Sequence, residues 1–184
     1  REHSILLRRE MAFFGCSEIG EIQIPQNVEY IGANPFAGAT KLKTIGLALK
    51  NPCYVETENL LYDVPERSLI AYLAGNPAKS CKILQGIHSI GAITFFCCKS
   101  LENIHIPNGI QAIGDSAFAY CRSLENIQFP ESVNSIGYWA FLHCNSLYSV
   151  VLPKGIREIG EYVFAECRNL YSLEIQEGLR SLNI

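Results

Sequence analysis

Apolar and polar residues follow a pattern that repeats along most of the chain every 23 residues. Four residue types return at this step in the C-terminal half of the chain. The positions are Phe95, Phe118, Phe141 and Phe164; Cys98, Cys121, Cys144 and Cys167; Leu101, Leu124, Leu147 and Leu170; and Gly91, Gly114, Gly137 and Gly160. A register held at this many positions indicates a structural repeat, and a period of about 20 to 50 residues is typical of solenoids.

Each unit contains three segments with different patterns. Leu-x-x-Ile-x-Ile alternates apolar and polar residues, which predicts a short strand with one inward face. Ile-x-x-Ile-Gly predicts an opposite wall, and Ala-Phe-x-x-Cys predicts extended chain with a 3₁₀ turn, since it is too short for an independent α-helix. Prolines that cannot donate to a ladder end the first segment at Pro25, Pro107, Pro130 and Pro153.

The register also covers the N-terminal part, where Phe13 and Cys16 take the matching positions and Ala39 replaces the next cysteine. Residues 49–82 fit poorly and contain turn signals at Asp63, Pro65 and residues 75–77. We therefore predict one continuous solenoid. It comprises N-terminal repeats over residues 1–48, an enlarged repeat with a hairpin-like insertion over 49–82, and regular repeats over 83–184.

These motifs resemble the BspA-like leucine-rich repeat family. The segment IQAIGDSAFAYC at residues 110–121 fits the family pattern closely, and NLLY at 59–62 with LIAYLAG at 69–75 resembles a hairpin that such proteins often carry. The departures are Ala39 in place of cysteine, and Ala48, Leu84 and Gln176 in place of proline.

The resemblance implies an α/β-type repeat fold. Its form would be a right-handed solenoid or horseshoe, with short parallel strands on the concave side and extended or 3₁₀ segments on the convex side. It also implies an extracellular or cell-surface location in a microbe, and adhesion to host proteins or to other cells. A stacked coil buries its apolar side only against its neighbours, so the repeats are expected to share one core.

The eight cysteines divide into two groups. Ala39 fills the repeated cysteine position, which favours a small packing residue over sulfur chemistry, so we expect a ladder of reduced core thiols. Its members are Cys16, Cys98, Cys121, Cys144 and Cys167. Outside the ladder, Cys53 and Cys81 flank the insertion and could form a disulfide. Cys97 is expected to point outward as the most reactive thiol.

Composition excludes several functions. The charged share is 18% and the net charge is −3, which argues against binding nucleic acid, because such proteins present a clustered basic face. No apolar run approaches the roughly 20 residues of a membrane-spanning helix. Residues 1–12 fit the repeat loosely and the sequence stops partway through a unit at 181–184. We therefore expect either a segment of a longer protein or an open end that meets another molecule.

A search for chemistry finds no catalytic motif, cofactor motif or metal-binding spacing. The glycines recur with the repeat and indicate turns. The neighbouring carboxylates Glu158 and Glu161 are interpreted as part of a solvated face. A nucleophilic Cys–His pair of Cys97 with His105 or His88 would need a third group to orient the histidine, and the sequence indicates none. We therefore expect a chain that is not an enzyme and that binds no cofactor or metal ion.

The repeat register identifies the outward positions on the first segment of each unit. They carry uncharged polar or aromatic side chains, which are common in binding surfaces. The candidate ligand-binding residues are Asn103, His105, Asn126, Gln128, Tyr148, Ser149, Tyr171 and Ser172. Trp139, the only tryptophan, lies on another side. It is expected either to anchor a partner or a sugar ring, or to pack over the neighbouring coil.

The leading hypothesis is a non-enzymatic binding module that takes a protein partner on its solenoid face, with a glycan as the other ligand class. Two alternatives stay open at this point. The chain could be a structural spacer that makes contacts through its ends, or an accessory domain beside an enzyme in the same protein.

Overall fold

The structure, a computed structural model, describes residues 6–7, 12–49 and 51–176. The expectation for the incomplete unit at residues 181–184 lies outside these ranges. The described chain is a β-solenoid of about seven turns. Its strands are β1 (Leu6–Leu7), β2 (Glu21–Ile24), β3 (Tyr30–Ile31), β4 (Thr44–Leu47), β5 (Tyr54–Thr57), β6 (Leu60–Asp63), β7 (Ser68–Tyr72), β8 (Ser80–Lys82), β9 (Ser89–Ile90), β10 (Asn103–His105), β11 (Ala112–Ile113), β12 (Ser135–Ile136), β13 (Ser149–Leu152), β14 (Glu158–Ile159) and β15 (Ser172–Ile175).

The first segment of each unit builds what we call the long-strand wall. Parallel pairs join β2 to β4, β8 to β10 and β13 to β15. Asn126 connects β10 to β13 through single bridges with Asn103 and Ser149. The pairing places residues 23 positions apart side by side, such as Ser149 with Ser172. The short parallel strands expected from the alternating pattern are therefore present.

The second segment builds a short-strand wall, in which β7, β9, β11, β12 and β14 pair in parallel. The repeated glycine directly follows β11, β12 and β14, and it allows the coils to approach closely. A Cβ atom on Gly137 would lie 2.5 Å from the backbone nitrogen of Asp115, a distance that real Cβ contacts do not reach. This glycine therefore serves inter-coil packing rather than only a turn.

The third segment forms a turn wall without helix. The α/β label and the predicted 3₁₀ turns are wrong, because the described residues contain neither α-helix nor 3₁₀-helix. Trp139 and His143 have left-handed backbone angles, with φ of 54° and 59°, which interrupt any helical run. Their N–H groups donate to the carbonyl oxygens of Glu161 and Ala165 in the next coil, at 3.1 and 3.0 Å.

Residues of the poorly fitting stretch form an antiparallel meander. β5 pairs with β6 and β6 with β7, after which β7 joins the short-strand wall beside β9. Two tyrosines tie the meander to the neighbouring coils. The Tyr54 hydroxyl accepts the Ile31 N–H at 2.7 Å, and the Tyr62 hydroxyl accepts the Leu84 N–H at 3.2 Å.

The meander divides the interior into two apolar clusters, one on each side of it. Asn34, only 1% exposed, lies where the turn segments of the flanking coils meet. Its side-chain nitrogen donates to the carbonyl oxygens of Ile93 and Thr94, at 2.9 Å each. Its side-chain oxygen accepts the Phe36 N–H at 3.2 Å. One buried amide therefore replaces the backbone ladder across this junction.

A column of aromatic rings fills the larger cluster. Phe95 and Phe118 stack with ring centroids 4.8 Å apart, and Phe118 and Phe141 stack at 5.0 Å. Tyr72 and Phe164 extend the column at its two ends, at 5.2 and 5.4 Å. The three central rings are fully buried, and burial of each contributes about 1.5–3 kcal/mol to folding.

A cysteine ladder runs beside the rings, and three of its thiols reach a carbonyl oxygen in the preceding coil. Cys121 donates to Phe95, Cys144 to Phe118 and Cys167 to Phe141, with S···O distances of 3.0, 3.1 and 3.0 Å. Those carbonyls also accept a backbone N–H from their own coil, as Phe118 does from Cys121. The slot therefore uses the S–H donor as well as the small size of cysteine.

Two cysteine predictions need correction. Cys16 occupies the repeated position but is exposed, because no described coil packs against its outer side. Cys97 is half-buried, and desolvation raises the pKa of its thiol although Lys99 opposes the shift. A raised pKa lowers the thiolate fraction, so Cys97 is not activated. All eight cysteines are free, and no disulfide joins Cys53 to Cys81.

The cysteine ladder predicts the effect of substituting Cys144. Cys144→Ala removes the donor to Phe118 and leaves a small void, so the free energy of unfolding should fall by about 1–2 kcal/mol. Cys144→Ser keeps a donor and should lose less. Cys97→Ala, outside the ladder, is the control and should change stability by under about 0.5 kcal/mol. Urea denaturation measures the free energy of unfolding of the three variants. Equal stability for Cys144→Ala and Cys144→Ser would contradict a role for the hydrogen bond.

Buried thiols also predict a loss of stability in alkali. Burial raises the pKa of Cys81 to about 12, whereas an unfolded cysteine titrates near pH 8.5. The unfolded chain therefore releases protons that the folded chain keeps, and the free energy of unfolding falls as pH rises from about 8.5 toward about 12. The melting temperature should drop over this window, and Cys81→Ala should make the drop shallower. Ser80→Ala, at the exposed neighbouring position of β8, removes no thiol and should leave the slope unchanged; an unchanged slope in Cys81→Ala would contradict the assignment.

Candidate functional site

A groove crosses the long-strand wall at the three coils that contain Asn103, Asn126 and Ser149. Its volume is about 740 Å³, within the range of small-molecule and side-chain pockets. We call it the strand groove. Its lining residues are Asn103, Ile104, Asn126, Ile127, Gln128, Phe129, Glu131, Tyr148, Ser149, Val151, Leu152, Pro153 and Gln176.

The groove lies where the parallel ladder is interrupted. β13 and β10 are regular strands, but the coil between them keeps only the bridges at Asn126. Phe129 occupies the inward position that Ile106 and Leu152 hold in the neighbouring coils, and its larger ring stands edge-on to Phe141 at 5.8 Å. We attribute the interruption to this ring, because a close-packed core has no room for the added volume.

The lining offers hydrogen-bonding groups with little charge. Amides come from Asn103, Asn126 and Gln128, and the exposed parts of Tyr148 and Val151 add apolar area, at 49% and 42% exposure. These groups match both the donors and the acceptors of an uncharged polar ligand.

Two further lining groups differ in how they are paired. The side-chain oxygen of Gln176 is buried without a hydrogen-bond partner among the described residues. A carboxylate oxygen of Glu131 accepts the Lys154 N–H at 3.1 Å. The groove therefore contains one buried acceptor that a ligand could satisfy, beside an acidic group that is already held in place.

Five of the predicted binding residues line the strand groove together: Asn103, Asn126, Gln128, Tyr148 and Ser149. The other four lie elsewhere. His105 lines a second groove of about 460 Å³ with Lys82 and Glu58. Tyr171, 87% exposed, and Ser172 lie one coil further along the same wall, outside the lining. Trp139 lies in the turn wall, away from both grooves.

Sequence reasoning missed several lining residues. Phe129 was available as a signal, since it is the only aromatic side chain at a position held elsewhere by Ile or Leu. Gln176 was noted as a departure from proline but not as a buried acceptor. Val151 holds the same outward position in its coil as His105 and Gln128 hold in theirs, whereas Glu131 follows a proline in a turn that the pattern does not orient.

Charged groups at one edge of this wall form an ion pair. The Nζ atom of Lys79 lies 2.8 Å from Oε1 of Glu102, and the hydrogen bond between these side chains raises the pKa of Lys79. Within the described residues no group of three His, Cys, Asp or Glu side chains could hold a metal ion. The same residues contain no helix long and apolar enough to cross a membrane.

Solved structures of bacterial leucine-rich repeat proteins are similar to this fold. A leucine-rich cell surface protein from Faecalibacterium prausnitzii matches with 26% identity and a TM-score of 0.67, covering 86% of this chain and 48% of that one. A leucine-rich repeat protein from Eubacterium ventriosum matches at 23% identity, a TM-score of 0.71 and coverage of 87% and 50%. The pneumococcal vaccine antigen PcpA matches with 21% identity and a TM-score of 0.70, covering 88% of this chain and 52% of that one. The chain thus spans about half the length of these structures, and no curated protein matches it.

The repeat itself gives a family match over most of the sequence. The BspA-type leucine-rich repeat region is found in six copies, over residues 3–56 and 72–184. The unmatched interval from 57 to 71 falls within the antiparallel meander. The chain therefore belongs to the BspA-type leucine-rich repeat family.

Proposed function

We propose that this segment is a non-enzymatic binding module and that the strand groove is the site that takes a protein partner. The observation that carries the proposal is the convergence of Asn103, Asn126 and Tyr148 from three successive coils on one groove. Their backbones are fixed by inter-coil pairing, so the side chains are presented with little loss of conformational entropy on binding. Asn and Tyr side chains suit such a surface, because they supply adaptable hydrogen bonds and flat contact area.

The size of the surface favours a protein partner over a free small molecule. The groove alone has the volume of a side-chain pocket, but Tyr171 and Ser172 continue the wall on one side and His105 continues it on the other. A stable protein interface needs about 800 Å² on each partner. A partner side chain or loop would enter the groove while its flanks contact the rest of the wall.

The same proposal includes the finer features of the resemblance. We place the long-strand wall on the concave side of a right-handed solenoid and the parent protein at a microbial cell surface. One relative in structure is described as a leucine-rich cell surface protein and another as a vaccine antigen, which supports this location. Adhesion to host proteins is the corresponding activity.

Substitution of the wall residues tests the binding site. The triple variant Asn126→Ala, Tyr148→Ala, Tyr171→Ala should weaken binding to immobilised fibronectin, collagen or laminin at least about 10-fold, a loss of about 1.4 kcal/mol. Its melting temperature should stay within a few degrees of the wild type, because all three side chains are exposed. Surface plasmon resonance and differential scanning fluorimetry measure the two quantities.

Tyr30→Ala is the matched control, since Tyr30 is 46% exposed against 49% for Tyr148 and lies on β3, away from the groove. It should bind as the wild type does. Equal affinity for the triple variant would place the site elsewhere. Failure of the wild type to bind any of the three matrix proteins would contradict the adhesion proposal.

The origin of the groove predicts the effect of Phe129→Ile. This substitution restores the residue type of the neighbouring coils, so the ladder should become regular at residues 127–129 and the groove should narrow. Amide hydrogen exchange at these positions should slow about 10-fold or more, because regular pairing protects the N–H groups. Unchanged exchange would show that the ring does not cause the interruption.

A further inference from the structure

Three exposed aromatic side chains cluster at the corner between the short-strand wall and the turn wall. Tyr138, Trp139 and Tyr162 are 48%, 45% and 56% exposed, respectively. Trp139 stacks on Tyr162 of the next coil with a centroid distance of 6.2 Å and an interplanar angle of 8°. Tyr138 meets Trp139 at 6.2 Å with the rings tilted by 51°. We call these residues the aromatic cluster.

The repeat geometry holds this cluster outward. Trp139 and Tyr162 occupy a left-handed position in their coils, with φ of 54° and 59°. Ile93 and Ser116 hold the same position in earlier coils with φ of 51°, so the backbone conformation belongs to the repeat. What is particular to these two coils is the choice of large rings. Trp139 both packs over the neighbouring coil and keeps nearly half of its surface in solvent.

A shallow groove adjoins the cluster on the short-strand wall. Its volume is about 520 Å³, and Tyr138 forms part of its lining. Gly114, Gly137 and Gly160 belong to its lining, and the absence of side chains at these positions lets successive coils approach closely there. Asp115 is held in place at the rim, because its carboxylate accepts the Tyr138 N–H at 2.8 Å. Ser135, Arg157 and Glu158 complete the polar lining.

The footprint is too small for a folded partner and suits a small ligand. The residues of the aromatic cluster and the adjoining groove are far fewer than the roughly 20–30 residues that each partner contributes to a typical protein interface. A volume of about 520 Å³ lies within the range of small-molecule sites, which is about 300–1,000 Å³. The ligand must therefore combine an apolar face for a ring with several hydrogen-bonding groups for the rim.

The geometry points to a pyranose-binding subsite at the aromatic cluster. The C–H face of a sugar ring can lie against an exposed aromatic ring, where dispersion contacts are largest. Its hydroxyl groups can donate to the carboxylates of Asp115 and Glu158 and accept from the guanidinium of Arg157. The ligand class is a short neutral glycan, one sugar unit of which occupies the groove. This subsite lies on a different wall from the strand groove and does not rest on its function.

The sole tryptophan makes the subsite directly measurable, since Trp139 is the only source of tryptophan emission in the chain. Titration with tri-N-acetylchitotriose and with maltotriose should change this emission in a saturable way for at least one sugar, with a Kd of about 1 mM or lower. Saturation-transfer NMR on the sugar gives a second readout that does not depend on the tryptophan.

Variants locate the binding. Tyr162→Ala should abolish the saturable change and the NMR signal, and Glu158→Gln should weaken binding at least about threefold by removing a charged acceptor. Glu21→Gln, at an exposed position of β2 away from both grooves, is the matched control and should bind the sugar as the wild type does. Decaproline, which docks to aromatic grooves, tests the rival ligand class.

Three results would overturn the proposal. The first is that neither sugar gives a saturable signal at concentrations up to about 10 mM, ten times the expected Kd. The second is that decaproline saturates the signal and the sugars do not. The third is sugar binding that is unaffected by both Tyr162→Ala and Glu158→Gln. Failure of the matrix-protein experiments would leave these readouts unchanged, so the two proposals fail separately.

Discussion

In the C-terminal repeats, the packing of one phenylalanine and one cysteine from each coil against the neighbouring coils is the interaction on which the rest of the structure depends. A single 23-residue coil has no interior, so the Phe118 ring becomes a core residue only between Phe95 and Phe141. The thiols follow the same rule, because Cys144 satisfies a carbonyl of the preceding coil. This shared requirement fixes the register of all three walls, and the outward residues are aligned as a consequence.

Departures from the repeat create the features that distinguish this chain. The antiparallel meander separates two apolar clusters, and the buried amide of Asn34 joins the coils on either side. We attribute the interruption of the long-strand wall at the strand groove to the larger ring of Phe129. Large rings at Trp139 and Tyr162 turn a structural position into an exposed cluster. The strand groove and the aromatic cluster thus lie where one residue of the repeat is exchanged without loss of register.

The sequence predicted the inter-coil register well because it depends on residue spacing. The alternation of apolar and polar residues placed Ile104 inward and Asn103 outward, as the structure has them. Prediction from the sequence failed on the turn wall, where the local pattern Ala-Phe-x-x-Cys predicts 3₁₀ turns that the described residues do not form. There the N–H groups of Trp139 and His143 pair with the next coil, and a local pattern carries no information on such partners.

The candidate site was only partly predictable for a related reason. Spacing identifies which residues face outward, but a groove depends on volume differences between neighbouring coils, such as that between Phe129 and Leu152. Cys16 shows a second limit, because the same position is buried in one coil and exposed in another. Burial in a solenoid is decided by the neighbouring coils as well as by the residue.

Thiol labelling with residue-level detection tests the central claim most directly. In the native protein an alkylating reagent should modify Cys16 quickly and leave Cys98, Cys121, Cys144 and Cys167 unmodified, because the first is exposed and the other four are buried. All five should react once the chain is unfolded in denaturant. Native labelling of the four buried thiols at the rate of Cys16 would contradict the stacked-coil account.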